Sequence, residues 1–160
     1  MTDFKIRPLS NDDRRWVRRF LTEHWASAQI VTRGRAHRAD CLPGFLAESG
    51  GQPLGLATYR LEADECEVIS LNSLREGVGI GSALLDEVCT AARAAGCRRV
   101  WLVTTNDNLQ ALRFYQKRGW RLVAVHPDAL VEFRRLKPEI PLVGIDGIPL
   151  RDEIELEITL

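Results

Sequence analysis

The chain has no surplus of either charge: 22 Lys and Arg stand against 22 Asp and Glu, a formal net charge of zero at pH 7. Gripping nucleic acid needs a basic face, so this balance argues against nucleic acid as a partner and leaves room only for a local basic patch toward a small phosphorylated ligand. Cysteine is sparse and lacks a pattern. Cys41, Cys66, Cys89 and Cys97 form no CxxC pair and keep no metal-ligand spacing with His24, His37 or His126, so no metal is expected. No apolar run approaches membrane length, and the first ten residues, MTDFKIRPLS, lack the apolar stretch of a secretory leader. The reading is a cytoplasmic protein with free thiols and no membrane partner. Repeats, low-complexity tracts and linkers are missing as well. What is present, 160 residues of which 45% are apolar, suffices for one domain spanning 1–160.

Periodicity predicts a first strand at Phe4–Arg7, then a helix capped by Asn11 or Asp12 and running to about Trp25 with Trp16, Val17, Phe20 and Leu21 on its apolar face. Thr32–Asp40 is polar, basic and irregular, which reads as a loop. Pro43 and Gly44 mark a turn, and Ser49–Gln52 a hairpin between Phe45–Glu48 and Pro53–Glu62, with Leu54, Leu56 and Tyr59 inward. Glu65–Leu74 alternates as a strand, placing Cys66, Val68 and Ser70 on one face and Glu65, Glu67, Ile69 and Leu71 on the other. A helix follows from about Gly79 to Ala95. Val100–Thr104 is apolar without alternation, as in a strand buried on both faces. Strand, helix and strand in succession make a βαβ unit with a parallel pair. A helix from Asn108 to Arg118 and a strand at Trp120–Val125 come next. His126–Arg151 is an insertion of Pro and Gly around one helical stretch, Ala129–Leu136, and Glu153–Leu160 is the last strand. The class is α/β.

Between the Glu65 strand and its helix, Gly77, Gly79 and Gly81 crowd into five residues. Glycines let the backbone approach a ligand and take positive φ, and the first helical turn offers unpaired N–H groups to an anion. A phosphate or pyrophosphate is the natural guest; the alternative is a turn and nothing more. A Walker loop requires a Lys beside Gly81, and a dinucleotide fingerprint requires a Gly where Ser82 stands, so both fail.

Gly79-Ile80-Gly81, followed by Ser82-Ala83-Leu84-Leu85, resembles the pyrophosphate loop Q/R-x-x-G-x-G/A of the GNAT N-acetyltransferase superfamily. The position usually Gln or Arg falls on Glu76, with Arg75 one residue early. Asn108 to Trp120 is similar to the family's other hallmark, N-x-x-A-x-x-F/L-Y-x-x-x-G-F, at Asn108, Ala111, Phe114, Tyr115 and Gly119. The resemblance to this family, in its small single-domain bacterial form, extends from first strand to last and is weakest over 126–151. It implies a GNAT fold: a mixed, about seven-stranded sheet with a splayed parallel pair and helices on both faces. It implies acetyl-CoA as cosubstrate, held by Ile69, Leu71, Arg75, Glu76, Gly77, Val78, Gly79, Ile80, Gly81, Ser82, Thr104, Asn108, Ala111, Phe114 and Tyr115. Family members are often homodimers.

An amine with the Lys reference pKa of about 10.4 must lose a proton before it attacks a thioester. By the resemblance the Glu65 strand supplies the base, with Glu65 the ungapped match and Glu67 one pleat nearer the reaction centre; surface carboxylates are the plain alternative for both. Leu71 matches the position whose backbone amide meets the oxyanion. Tyr115 matches the acid that protonates the leaving thiolate, against the alternative of a half-buried core residue. Asn108 reaches the pantetheine arm, caps its helix, or does both. Toward the acceptor, a small-molecule or protein amine, the candidates are Arg33, Arg35, His37 and Tyr59; arginines there would suit a carboxylate or phosphate on the substrate, unless they form only a solvated loop. A non-catalytic acyl-CoA-binding domain with the same fold is the competing function.

Overall fold

The computed structural model describes residues 3–160; residues 1 and 2, where the 1–160 range and the leader reading begin, lie outside it. In chain order the elements are β1 (Lys5–Pro8), α1 (Arg14–Trp25), β2 (Gln29–Thr32), β3 (Arg35–Arg38), β4 (Gly44–Ser49), β5 (Gln52–Glu62), β6 (Glu65–Ser73), α2 (Ile80–Ala94), β7 (Arg99–Thr105), α3 (Leu109–Lys117), β8 (Arg121–His126), α4 (Ala129–Leu136) and β9 (Glu153–Thr159). Seven strands form one mixed sheet in the order β1-β4-β5-β6-β7-β9-β8, and β2 with β3 makes a separate hairpin. Among the described residues only β6 and β7 run parallel, as a strand–helix–strand crossover through α2 requires. Among the described residues no helix is long and apolar enough to cross a membrane.

Two apolar layers flank the sheet. Ile80, Leu84, Leu85, Val88 and Ala92 of α2 pack with Ala57, Tyr59, Cys66, Val68, Val100, Leu156 and Tyr115. Val17, Phe20 and Leu21 of α1 pack on the opposite face against Leu56, Ile69 and Ile30. The helical spacing read from Trp16 to Leu21 therefore served its purpose, although α1 starts later than a cap at Asn11 or Asp12 implies: those residues form a separate 3-10 turn, Asn11–Asp13, and the Asp13 carboxylate accepts from the Ser10 N–H at 2.7 Å.

The parallel pair is short. Glu65, Cys66 and Glu67 lie opposite Arg99, Val100 and Trp101, and there the pairing ends, while β7 continues to Thr105 against β9. Beyond Glu67 the two strands part. The cause sits in β6: Thr58 of β5 faces Ser70, but Tyr59 faces Val68, leaving Ile69 as the extra residue of a β-bulge. This corrects the strict alternation expected for the strand. Ser70 turns to the α1 face and shares a 2.6 Å hydrogen bond with Thr58, while Leu71 turns to the α2 face and away from Glu67.

Thr32–Asp40 is also corrected. It is a hairpin, β2 paired with β3 through Arg33 and Gly34, whose φ angles of 48° and 74° suit a primed two-residue turn. The insertion after His126 contains α4, anchored by buried Leu130 and Phe133. Arg134 holds the chain that follows by donating to the carbonyls of Ile140, Pro141 and Leu150.

Candidate active site

A cleft of about 740 Å³ opens where α2 begins, between β6 and α3. Gly79 caps α2 with φ of 88°, a conformation that costs an L side chain dearly. Ala83 makes the first intrahelical bond, N–H to the Gly79 carbonyl, so the amides of Ile80, Gly81 and Ser82 have no partner within the helix. Gly81 is constrained by space: a Cβ there would stand 3.1 Å from Cζ of Phe114, so glycine allows α2 and α3 to close on each other. An anion-binding end of a helix is thus set against an aromatic wall.

Of the residues the sequence marked for the cofactor, Leu71, Arg75, Glu76, Gly77, Gly79, Ile80, Gly81, Ser82, Asn108, Ala111, Phe114 and Tyr115 line this cleft. Ile69 belongs instead to the α1-side core, on the face of Glu67 where alternation puts it, while the bulge carries Leu71 to the opposite face. Thr104 sits half-buried on β7 opposite Ile154, and Val78 points to solvent; neither lines the cleft. Sequence reading missed Asn72, Ser73, Gln110 and Arg118. Gln110, Phe114 and Arg118 recur every fourth residue, so helical periodicity from Phe114 could have found two of them. Arg118 lies over the Phe114 ring, 3.5 Å from its centroid, and donates to Ser82 Oγ at 2.5 Å. Gln110 donates to Glu76 at 3.2 Å, which gives the unusual acidic residue of the loop a partner.

Tyr115 is buried, edge-on to Phe114 at 5.2 Å and 5.4 Å from the Trp120 ring. Burial pushes its phenol above the ordinary value, so it carries its proton at neutral pH. Asn108 caps α3, its Oδ1 accepting from the Ala111 N–H at 3.1 Å, which leaves its amide hydrogens free for another acceptor. The amide of Leu71 is also available. Leu74 N–H donates to Leu54 across the Ser73–Gly55 pair, so by strand alternation the Leu71 N–H points away from β5 into the gap that β7 has left.

Glu67 lies on the other sheet face, beneath the β2–β3 hairpin. It is 2% exposed and accepts from Thr32 Oγ1 at 2.8 Å and from Arg60 Nε at 3.3 Å. Burial raises its pKa; the Thr32 hydrogen bond and Arg60 oppose that rise. With Arg60, Glu62, Asp64, Glu65 and Trp101 it lines a second, smaller pocket of about 280 Å³. Glu65 is differently placed, held by Arg98 at 2.5 Å and Arg99 at 3.1 Å.

The residues marked for the acceptor separate. His37 joins Glu67, its Nε2 lying 2.7 Å from Thr32 Oγ1. Arg33 at the hairpin tip binds buried Glu153 at 2.9 Å, and Arg35 pairs with Glu62 at 3.2 Å, so both guanidinium groups already have carboxylate partners within the protein. Tyr59 does not reach this side. It stacks on Phe45 in the α2-side core, because β5 alternation turns it away from Arg60 and Glu67. Among the described residues no cluster of His, Cys, Asp and Glu is arranged to hold a metal ion.

The model of the Acetyltransferase (GNAT) family matches residues 7–120. Two Bacillus subtilis (strain 168) proteins, both uncharacterized, are similar over most of their length: YdhI is 46% identical over 136 residues, 84% of this chain and 85% of that protein. YxbD is 44% identical over 141 residues, 88% and 89% of the two chains. Among solved structures, an IAA acetyltransferase from Bacillus cereus ATCC 14579 superposes with a TM-score of 0.75 at 19% identity, covering 99% of this chain and 100% of its own. A GNAT family acetyltransferase from Elizabethkingia anophelis with acetyl-CoA bound gives 0.70 at 18% identity over 100% of both chains. The mixed sheet with its parted parallel pair is shared architecture.

Proposed function

The chain belongs to the GNAT acetyltransferase family, and on that premise we propose that it transfers the acetyl group of acetyl-CoA to a primary amine by direct attack in a ternary complex. The observation that carries the proposal is the meeting, in one cleft, of the free α2 amides, the outward Leu71 N–H and Tyr115. The CoA pyrophosphate lies on the amides of Ile80, Gly81 and Ser82, with Arg75 and Arg118 as neighbouring cations. The pantetheine arm enters the gap between β6 and β7 and meets Asn108. That neighbours of the same fold hold CoA and acetyl-CoA supports this choice of ligand.

On the far side of the gap the acceptor ammonium gives a proton to Glu67. The neutral nitrogen attacks the thioester carbon, and the oxyanion is met by the Leu71 amide. The C–S bond breaks as Tyr115 donates its proton to the leaving thiolate, and the nitrogen, cationic after attack, gives up its second proton through water to restore the phenol, leaving a neutral amide. Glu67 serves as base in preference to Glu65 because Glu65 is committed to Arg98 and Arg99, and because a burial-raised carboxyl holds a proton from an amine better than a solvated one. An acid at Tyr115 and a base at Glu67 favour the reading of turnover over mere acyl-CoA binding.

Calorimetric titration with acetyl-CoA tests the cofactor, beside Gly79→Trp, which obstructs the loop. Micromolar binding lost in that variant, followed by CoA release with a panel of primary amines, is the expected result. A folded wild-type protein that binds no acetyl-CoA overturns the proposal.

A further inference from the structure

The hairpin that covers Glu67 contributes more than a roof. Thr32 Oγ1 stands 2.8 Å from Oε2 of Glu67 and 2.7 Å from Nε2 of His37, and all three side chains are buried. Nε2 is 3.9 Å from Oε1 of Glu67, too far for a direct hydrogen bond, so the hydroxyl is the link. A hydroxyl has one hydrogen to give, and an ionised carboxylate has none. With Glu67 ionised, Thr32 must donate to Glu67, and His37 must donate from Nε2 to Thr32.

Protonation reverses every member of this chain. Oε1 faces the Arg60 Nε–H, a donor, so the incoming proton settles on Oε2, the oxygen facing Thr32. Oε2–H then donates to Thr32 Oγ1, and the Thr32 hydrogen swings to Nε2, which must be bare. The imidazole gives up its Nε2 proton and takes one from water on Nδ1, so it keeps one hydrogen in all. Its charge does not change: burial, with Arg60 and Arg35 adding to it and Glu62 opposing, pushes the His37 pKa down to about 4. The other charges facing the chain are Arg60 and Glu62 from β5, Arg35 from β3, and Glu153 from β9, the last occupied by Arg33.

We propose that Thr32 and His37 are positioning residues for Glu67, forming a hydrogen-bond chain that holds the carboxylate ionised and aimed and reverses direction when it takes the amine proton. The proposal rests on the reading of Glu67 as base, and it accounts for a neutral histidine buried beside a buried carboxylate.

The test needs neither acetyl-CoA nor an acceptor, so its failure is separate from failure of the acetyltransferase reading. Histidine labelled with ¹⁵N reports the tautomer by NMR, with His37→Gln to assign the signal. At mildly alkaline pH the wild type should show His37 protonated on Nε2. Glu67→Gln, whose amide oxygen faces Arg60 and whose NH₂ faces Thr32, mimics the protonated acid and should show His37 protonated on Nδ1. In Thr32→Val the tautomer should be the same whether residue 67 is Glu or Gln. The Glu67 carboxyl, followed by ¹³C, should titrate higher in Thr32→Val and return in Thr32→Ser. An unchanged His37 tautomer between wild type and Glu67→Gln, or a Glu67 midpoint indifferent to Thr32→Val, overturns the proposal.

Discussion

At Tyr115 the ring fills the core between Phe114 and Trp120 while the residue also lines the cleft, so Tyr115→Phe removes the hydroxyl and keeps the packing. Loss of a positioned general acid costs on the order of 100-fold in rate. The expected result is therefore a kcat lower by about that factor with an unchanged acetyl-CoA Kd, read by steady-state CoA release and calorimetry. Glu67 makes the opposite exchange between activity and stability. Its folded pKa lies above the ordinary 4.5, so between the two the folded state binds more protons, and stability falls as pH rises through that window. Glu67→Gln should abolish most of the turnover and raise the melting temperature on the alkaline side. His37 works in another range: its folded value of about 4 lies below the ordinary 6.5, so its contribution is complete above 6.5 and is lost as pH falls toward 4. Thermal melts across that interval should be flatter in His37→Gln than in the wild type.

At the scale of elements, the glycine loop and α3 were legible because their signals are local. Gly79 must be glycine for its φ of 88°, and Gly81 for its 3.1 Å approach to Phe114. Gly79→Ala should cost about 1–2 kcal/mol, seen as a lower denaturant midpoint with the slope unchanged. The bulge at Ile69 was illegible because it requires no special residue. Its only cause is the one-residue slip against β5, a relation between segments that sequence spacing does not contain. The β2–β3 hairpin was missed for another reason. Four-residue strands are too short to alternate convincingly, and the inward residues Thr32 and His37 are polar because they face Glu67. Gln110 and Arg118 apart, the cleft-lining residues of the glycine loop and α3 were therefore read from pattern, while the surroundings of Glu67 emerged only from packing.

Across the whole molecule, the 126–151 insertion is tied to the amino-terminal half by one cation. Lys137 is 7% exposed, and its ammonium donates to the carbonyls of Trp25 at 2.7 Å and Gln29 at 2.8 Å, more than a hundred residues away in sequence. Gln29 returns the contact by donating to the Leu136 carbonyl at 3.2 Å. Trp25 ends α1 and Gln29 begins β2, so the tie fixes the root of the hairpin that carries Thr32 and His37, while Arg33 on Glu153 fixes its tip. Lys137→Met keeps a long apolar stem but leaves two carbonyls without a donor, a loss of about 2 kcal/mol for hydrogen bonds to a charged group. The denaturant midpoint should fall accordingly. The distribution of the effect decides the role: hydrogen exchange should quicken at Gln29–Arg38 as well as in α4 if the insertion braces the roof over Glu67. Quickening confined to α4 would make Lys137 a cap on its own helix and leave the hairpin held by Arg33, Arg35 and Thr32 alone.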